Sequence, residues 1–358
     1  MSLPEGLHRI RMRCFREFGF ICLITACAAL FHTTCLAVAQ SEAPAPSPGE
    51  VQQSIALVRS PDVNDEIISR TRLMGQILLR VGRFAEAADL FAALAEKKPA
   101  DFMIVYGQAL ATFNSGHAAA AEPLARRAME LILPAARPAD PQPETTAQAA
   151  DSLVLLSVIL AVQKDDPAAL KLLERAVEIA PKHFDAQLSM GRLLFGMGND
   201  NGAIEHFRAA VSLQPENSQA MFFLATTLEH AGDIEGAMTV YRKLANTRPD
   251  LYEGHLGLGS LLLKQGGKGV DEGLKELTRA LEINPNLYEA RVALGRSLIA
   301  RGQPAEAIIH LRRAAELAPQ NPEPHYQLSV AYRRLGQADQ AAQEAAIVKR
   351  INESRRVK

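Results

Sequence analysis

The sequence contains no tryptophan, few aromatic residues and almost no net charge. Aromatic residues make up 5% of its 358 residues, and the formal net charge is −1. A nucleic-acid-binding protein needs a basic surface to neutralise phosphates, so the balanced charge argues against that class. Apolar residues account for 48% of the sequence. That share is high enough for a folded protein with a sizeable core, and it argues against a disordered chain.

Cysteine is confined to one end of the chain. The four cysteines are Cys14, Cys22, Cys27 and Cys35. All four lie within residues 1–39, which have the pattern of an export signal, and cleavage of that signal would remove them from the chain. The remaining chain contains no cysteine, so we expect neither disulfides nor thiolate chemistry in it.

Residues 1–39 show the three parts of an export signal. Arginines precede an apolar stretch from Phe18 to Phe31, and small residues at 37–39 then predict cleavage between Ala39 and Gln40. Two other interpretations stay open. The segment is long enough to remain as a membrane anchor, and residues 24–27, which end in Cys27, resemble a lipobox. All three interpretations export the rest of the chain. We expect a periplasmic or secreted protein, or one that contacts the membrane only through an uncleaved N-terminal segment.

A short tether follows the signal. Residues 40–49 are rich in proline, serine and alanine, a composition that gives a semi-rigid spacer unable to pack into a core. We then expect an N-terminal capping helix within residues 50–67.

Most of the remaining chain repeats with a period of 34 residues. Prolines recur at this spacing, and glycines run in parallel about half a period away. Two antiparallel helices per period fit between these marks, because glycine relaxes the turn after the first helix and proline ends the second. The prolines are Pro99, Pro181, Pro215, Pro249, Pro285 and Pro319, and the glycines are Gly82, Gly116, Gly198, Gly232, Gly266, Gly302 and Gly336.

Two positions of every repeat hold a small residue. Two helices can approach closely only where no bulky side chain separates them, so these positions predict the crossing of the two helices. Position 8 is occupied by Gly75, Ala109, Ser157, Gly191, Ala225, Gly259, Gly295 and Ser329. Position 20 is occupied by Ala87, Ala121, Ala169, Ala203, Ala237, Gly273, Ala307 and Ala341.

This pattern resembles the tetratricopeptide repeat family over residues 68–355. The resemblance implies an all-α fold, a right-handed α-solenoid of helix–turn–helix units, here with eight repeats. The aromatic residue that the family usually has at position 4 is replaced by Gln187, Met221, His255, Arg291 and His325. The expected organisation is two repeats in residues 68–135, a proline-rich loop in 136–149, and six repeats with a C-terminal cap in 150–358. A hinge at 136–149 is the alternative to a surface loop.

Sequence signatures of chemistry are lacking. Neither a phosphate-binding glycine loop after a strand nor a pair of metal ligands at a recognised spacing occurs. We therefore predict a protein that is not an enzyme, with no catalytic residues, no metal and no cofactor. Carboxylates recur at position 2, from Asp151 to Glu323, and we attribute them to stabilisation of the first turn of each first helix.

The resemblance also implies a binding surface. In this family, positions 2, 5, 9, 12 and 13 of the first helix of each repeat line a concave groove. Carried over by position, the groove residues are Arg72, Gln76, Arg80, Tyr106, Asn114, Arg192, Phe195, Phe222, Thr226, Glu229, His230, Ser260, Lys264, Arg296, Tyr326, Arg333 and Arg334. Their mixed aromatic, polar and cationic character suits an extended peptide, and solvated surface is the competing interpretation of each residue.

These observations lead to three alternative hypotheses for the function. The leading hypothesis is an exported, non-catalytic scaffold that binds a peptide or protein segment of unknown identity, in envelope assembly or secretion. A carrier of glycans or small ligands is the second alternative, and an accessory subunit of a separately encoded envelope enzyme is the third. None of the three requires nucleic acid.

Overall fold

A computed structural model describes residues 45–135 and 142–356, and it shows only helices and turns there. The signal, its cleavage site at Ala39 and Gln40, and the lipobox-like residues lie outside the described part. The chain divides into two compact units, Met1–Leu213 and Gln214–Lys358.

The N-terminal unit contains one preceding helix and four helix pairs. The preceding helix, α1, packs against both helices of repeat 1, and the two helices of each repeat pack against each other. In chain order the helices are α1 (Pro48–Arg59), α2 (Asp65–Arg80), α3 (Phe84–Lys97), α4 (Phe102–Asn114), α5 (Ala118–Ile132), α6 (Pro143–Val162), α7 (Asp166–Ile179), α8 (Phe184–Gly196) and α9 (Asp200–Leu213).

The C-terminal unit contains four more helix pairs. Successive helices again form the main contacts. The helices are α10 (Ser218–Ala231), α11 (Ile234–Thr247), α12 (Tyr252–Gln265), α13 (Val270–Ile283), α14 (Tyr288–Ala300), α15 (Pro304–Leu317), α16 (Pro322–Arg334) and α17 (Ala338–Arg356), with one 3-10 turn at Gly267–Gly269. Below, the first helix of each repeat is called helix A and the second helix B.

The small residues at positions 8 and 20 are buried in all eight repeats, as the period predicts. At position 8, glycine lies directly against the side chain at position 24 of the same repeat. A Cβ on Gly191 would lie 2.7 Å from ring atoms of Phe207, and one on Gly75 would lie 2.7 Å from the Phe91 ring. Both phenylalanines are fully buried. A hydrogen side chain at position 8 therefore makes room for the largest residues of the core.

The predicted turn glycines all have positive φ at the end of helix A. Gly232, for example, has φ +87° and lies at the C-terminal end of α10. Repeat 3 is different, because Lys164 occupies this place with φ 69°. A side chain with a Cβ is strained in this region, so repeat 3 makes its turn at a cost of about 1–2 kcal/mol relative to glycine.

The predicted proline-rich loop is wrong in its C-terminal half. Residues 143–149 belong to α6, which begins at Pro143. Proline is accepted there because the first turn of a helix needs no intrahelical partner for its N–H groups. The helices on either side, α5 and α6, pack against each other within the N-terminal unit, which favours a loop over a hinge.

The N-terminal boundaries also differ from expectation. Helix α1 starts at Pro48, within the predicted tether, because Ser47 and Glu50 form a reciprocal capping box. Repeat 1 begins at Asp65 instead of residue 68, since Asn64 accepts a hydrogen bond from the backbone N–H of Ile67 and caps α2.

Helix α6 is long and apolar enough by composition to cross a membrane, but 67% of its most apolar stretch is buried inside the protein. It packs against α5, α7 and α8. Its composition is therefore that of a core helix of the repeat array.

Candidate binding surface on the A helices

The helix-A face is the surface formed by positions 2, 5, 9, 12 and 13 of the A helices. Its residues differ in accessibility from one repeat to the next. In the N-terminal unit, Arg72 and Gln76 are half-buried and Arg80 is exposed. A guanidinium nitrogen of Arg72 lies 3.9 Å from the Asp101 carboxylate.

The other predicted residues of the N-terminal unit are less accessible. Asn114 is half-buried and donates a hydrogen bond of 3.0 Å to the carbonyl of Leu110, so its amide is tied to its own helix. Arg192 and Phe195 of α8 are half-buried. Of the predicted groove residues in this unit, the exposed cation is therefore Arg80, in the last turn of α2.

The prediction of Tyr106 as a surface residue is wrong. Its side chain is 3% exposed and stacks on Phe102 with ring centroids 5.5 Å apart. Position 5 is also buried at Leu188 and Val292. In these three repeats position 5 is therefore a packing position instead of a groove position.

In the C-terminal unit the predicted residues divide by position along the helix. Phe222 is half-buried beside Phe223, with centroids 6.0 Å apart, and Thr226 Oγ1 lies 3.0 Å from the Tyr241 hydroxyl. Glu229 and Ser260 are half-buried, whereas His230 and Lys264 are exposed. The residues near the start and middle of α10 are thus partly used in packing, whereas position 13 is exposed in α10 and α12.

Repeats 7 and 8 carry the most exposed part of the helix-A face. Arg296 and Arg333 are exposed, and Tyr326 at position 5 is 53% exposed, since among residues 45–135 and 142–356 no further A helix packs on α16. Arg296 Nη1 lies 3.6 Å from Glu323 Oε1. Arg334 donates a hydrogen bond to the carbonyl of Ile299 and links the last turns of α16 and α14.

Charge is distributed along the A helices in an ordered way. Carboxylates lie in the first turns, at Glu253, Glu289 and Glu323, and basic side chains lie in the last turns of α10, α12 and α16. Burial raises the pKa of the Glu253 carboxyl. Within the C-terminal unit, the helix-A face therefore carries acidic side chains in the first turns of its helices and basic side chains in their last turns. The helix dipole stabilises both groups of charges.

Polar pairs between the two helices of a repeat replace the missing aromatic residue at position 4. His255 Nδ1 lies 2.6 Å from Glu276 Oε2, and the same distance joins His325 Nδ1 to Glu344 Oε2. In repeat 4 the Gln187 side chain meets His206 Nδ1 at 2.7 Å. Sequence reasoning missed these pairs, although position 4 and a residue about 19 positions later are both polar in these repeats.

One buried cluster joins repeats 3 and 4. His183 precedes α8 and accepts a hydrogen bond at Nδ1 from the backbone N–H of Ala186, 3.2 Å away. Its Nε2 lies 2.9 Å from Asp151 Oδ1 on α6. Asp151 is 8% exposed. The first-turn explanation of Asp151 is wrong, because α6 begins at Pro143, two turns earlier.

Within residues 45–135 and 142–356, no group of three histidine, cysteine or acidic side chains is placed to hold a metal ion.

The helix pairs and small-residue crossings identify the chain as a protein of the all-helical repeat class. Tetratricopeptide repeat sequence profiles match residues 72–141, 188–255 and 256–322, and a second such profile matches 298–357. These matches cover more than half of the chain, which therefore belongs to the tetratricopeptide repeat family.

Solved structures of similar fold are distant in sequence. The structure described as the functional characterisation of Pseudomonas aeruginosa pilF is 18% identical, with a TM-score of 0.50, and the match covers 60% of this chain and 99% of that one. MamA residues 41-end from Desulfovibrio magneticus RS-1 are 20% identical, with a TM-score of 0.45 over 48% of this chain and 96% of that one. YrrB, described as "a TPR protein with an unusual peptide-binding site", is 20% identical, with a TM-score of 0.44 over 50% and 91%. Comparison with curated proteins gives no match.

Proposed function

We propose that this protein is an exported, non-catalytic interaction scaffold that holds a peptide or protein segment on its helix-A face. Family membership supports the general role, since tetratricopeptide repeat proteins bind protein or peptide partners. The single observation that carries the proposal is the exposed combination of Tyr326, Arg296 and Arg333 in repeats 7 and 8. Exposed aromatic and arginine side chains on a rigid helical surface are the groups that most often supply binding energy.

The charge of the last turns favours a segment with acidic side chains. Lys264 and Arg333 are exposed in the last turns of α12 and α16, and arginine binds carboxylates through two parallel hydrogen bonds. Arg334 is held by the Ile299 carbonyl, which lowers the conformational entropy that its side chain would lose on binding. A partner with carboxylates along one side and an apolar residue for Tyr326 fits this arrangement.

The test is binding of the purified chain, without residues 1–39, to an array of 15-residue peptides of graded charge. We expect preference for acidic peptides and at least a fivefold loss of affinity in Tyr326→Ala and Arg333→Ala, since a binding hot spot contributes more than about 1 kcal/mol. Matched controls are Ile309→Ala and Arg279→Ala on helices B, where Ile309 is 68% exposed and Arg279 pairs with Glu282. Equal losses in control and test variants would contradict the surface assignment. Binding of oligosaccharides with no bound peptide would favour the glycan carrier instead.

Export is proposed from residues 1–39 alone. Fractionation of cells that produce the full chain, followed by N-terminal sequencing, tests it. We expect soluble envelope material that begins at Gln40. A chain that begins at Met1 in the membrane fraction would support the anchor, and a lipid on Cys27 would support the lipoprotein. Cytoplasmic material that retains residues 1–39 would refute export.

A further inference from the structure

Position 24 of one repeat packs against position 6 of the next repeat. A Cβ on Gly107 would lie 2.7 Å from atoms of the Phe91 ring, and one on Gly257 would overlap the Tyr241 ring. Gly107 and Gly257 occupy position 6, whereas Phe91 and Tyr241 occupy position 24 of the preceding repeats. The pair formed by positions 24 and 6 is therefore a contact by which one repeat holds the following one.

The junction of repeats 2 and 3 makes this contact with the sizes reversed. Position 24 of repeat 2 is Ala125, and positions 6 and 10 of repeat 3 are Leu155 and Ile159. All three are buried in one hydrophobic cluster. Tyr106, at position 5 of repeat 2, belongs to the same cluster. An alanine at position 24 thus makes room for a leucine at position 6 of the following repeat.

Repeat 8 carries the tyrosine and the alanine of repeat 2 in an uncovered state. Ala345, at position 24, is exposed, although position 24 is buried in the seven preceding repeats. Tyr326, at position 5, is 53% exposed. The outward side of repeat 8 therefore has the residues that accept a following repeat, but within the described part of the chain no such repeat is present.

Repeat 1 carries the matching residues of repeat 3. Leu73 at position 6 and Ile77 at position 10 are of the same types as Leu155 and Ile159. Leu73 is 38% exposed and Ile77 is half-buried, while α1 packs chiefly on α3. In the other seven repeats, position 6 is buried or half-buried. The two sides of the repeat 2 and 3 contact are thus exposed at opposite ends of the chain.

Charges near these two surfaces are complementary at the start of α2. Helices A and B of a repeat run antiparallel, so the end of α17 lies where a following A helix would begin. Arg350 is exposed near the end of α17, and Asp62 and Glu66 are exposed around the start of α2. Opposite charges favour this orientation of the two surfaces. The last turns of α16 and α2 both carry cations, Arg333 and Arg80, and their repulsion limits the affinity.

We propose that repeat 1 of a second copy of this chain stacks on repeat 8 of the first copy, with Leu73 packed on Ala345. Tyr326 is then covered as Tyr106 is covered within the chain. The two surfaces are different parts of the molecule, so the contact is heterologous and further copies add head to tail. Because one repeat on each side makes a small interface, we expect a dissociation constant of about 10–100 µM.

This inference goes beyond the proposed function, and the two can be tested separately. Tyr326 serves both surfaces, so acidic peptides and a second copy should compete for it. Leu73 and Ala345 lie outside the helix-A face, and their substitution should leave peptide binding unchanged. A chain that binds acidic peptides and stays monomeric would overturn the stacking alone.

Sedimentation velocity of the chain without residues 1–39, at about 5 to 500 µM, tests the proposal. We expect the average mass of the wild type to rise with concentration beyond that of a dimer. Leu73→Arg and Ala345→Arg should each weaken association at least about tenfold, because each places an unpaired charge in an apolar contact. Ile309→Arg and Ala305→Arg, at exposed residues of α15, are the matched controls and should associate as the wild type does.

A mixture of the two test variants distinguishes head-to-tail stacking from other contacts. Leu73→Arg keeps an intact repeat 8, and Ala345→Arg keeps an intact repeat 1, so the mixture should form dimers that do not grow further. A wild type that stays monomeric or stops at the dimer would overturn the proposal, and this measurement needs no variant. Equal weakening in the controls, or a mixture of folded variants that associates no better than either alone, would also overturn it.

Discussion

The close contact of Gly191 with Phe207 predicts that the sign of a glycine-to-alanine effect depends on its neighbour. In the wild type, the new Cβ of Gly191→Ala would lie 2.7 Å from two atoms of a fully buried ring. Such overpacking costs about 1–3 kcal/mol. Alanine also favours the helix by about 1 kcal/mol relative to glycine. The net result is a loss of roughly 0–2 kcal/mol.

In the Phe207→Ala background the obstacle is gone. Removal of the ring itself costs about 3–5 kcal/mol, because a cavity remains. Gly191→Ala should then raise stability by about 0.5–1 kcal/mol through helix propensity and partial filling of the cavity. Repeat 2 contains this combination naturally, with Ala109 and Ala125 both buried.

A double-mutant cycle measured by urea unfolding tests this reasoning. We expect a coupling energy of about 0.5–3 kcal/mol in favour of the double variant. Gly196→Ala is the control, because nothing lies within 4 Å of a Cβ at that position, and its effect should be the same in both backgrounds. An equal effect of Gly191→Ala in both backgrounds would refute the idea that the Phe207 ring is what excludes a side chain at position 8.

Three further predictions use unfolding measurements. Lys164→Gly relieves strain of about 1–2 kcal/mol at φ 69°, but glycine loses more backbone entropy on folding, so we expect a net stabilisation of about 0.5–1 kcal/mol. Lys171→Gly inside α7 should instead destabilise the protein by about 1 kcal/mol, and loss of stability in both variants would be inconsistent with strain. Tyr332→Phe removes the hydroxyl that accepts two hydrogen bonds from Arg312, at 2.7 and 3.0 Å, and should lower the free energy of unfolding by about 1–3 kcal/mol. The control Tyr326→Phe, at an exposed tyrosine, should lower it by less than about 0.5 kcal/mol. Burial lowers the pKa of His206, so the unfolded state takes up the proton first and stability falls as the pH drops through about 6.5. His206→Gln should lessen that loss between pH 7 and 5, and an unchanged pH profile would count against it.

The fold could be predicted from the sequence because the repeat period is expressed in backbone requirements. Glycine with positive φ and proline after a helix act on the local backbone. Small residues at positions 8 and 20 are needed because the axes of two packed helices come close together at their crossing. Boundaries were less predictable, since proline at 143 is compatible both with a loop and with the first turn of a helix.

The binding surface was predictable only in part, for a geometric reason. The position of a residue within a helix determines the direction in which its side chain points, but it does not determine which neighbouring helix covers that side chain. Tyr106 and Tyr326 both occupy position 5, yet one is 3% and the other 53% exposed, because the next repeat packs on the first and no described repeat packs on the second. The same limit applies to Asp151, whose partner His183 lies on the next repeat.

The sequence by itself thus determined the helical repeat, its turns and the scarcity of large aromatic residues, because these depend on local conformation and on the distance between two adjacent helices. Tertiary structure alone decided which side chains remain accessible and which titratable groups meet, because both depend on packing between repeats. The absence of tryptophan and the low aromatic content are consistent with crossings built on glycine and alanine, where only a few buried rings, such as Phe91 and Phe207, find space.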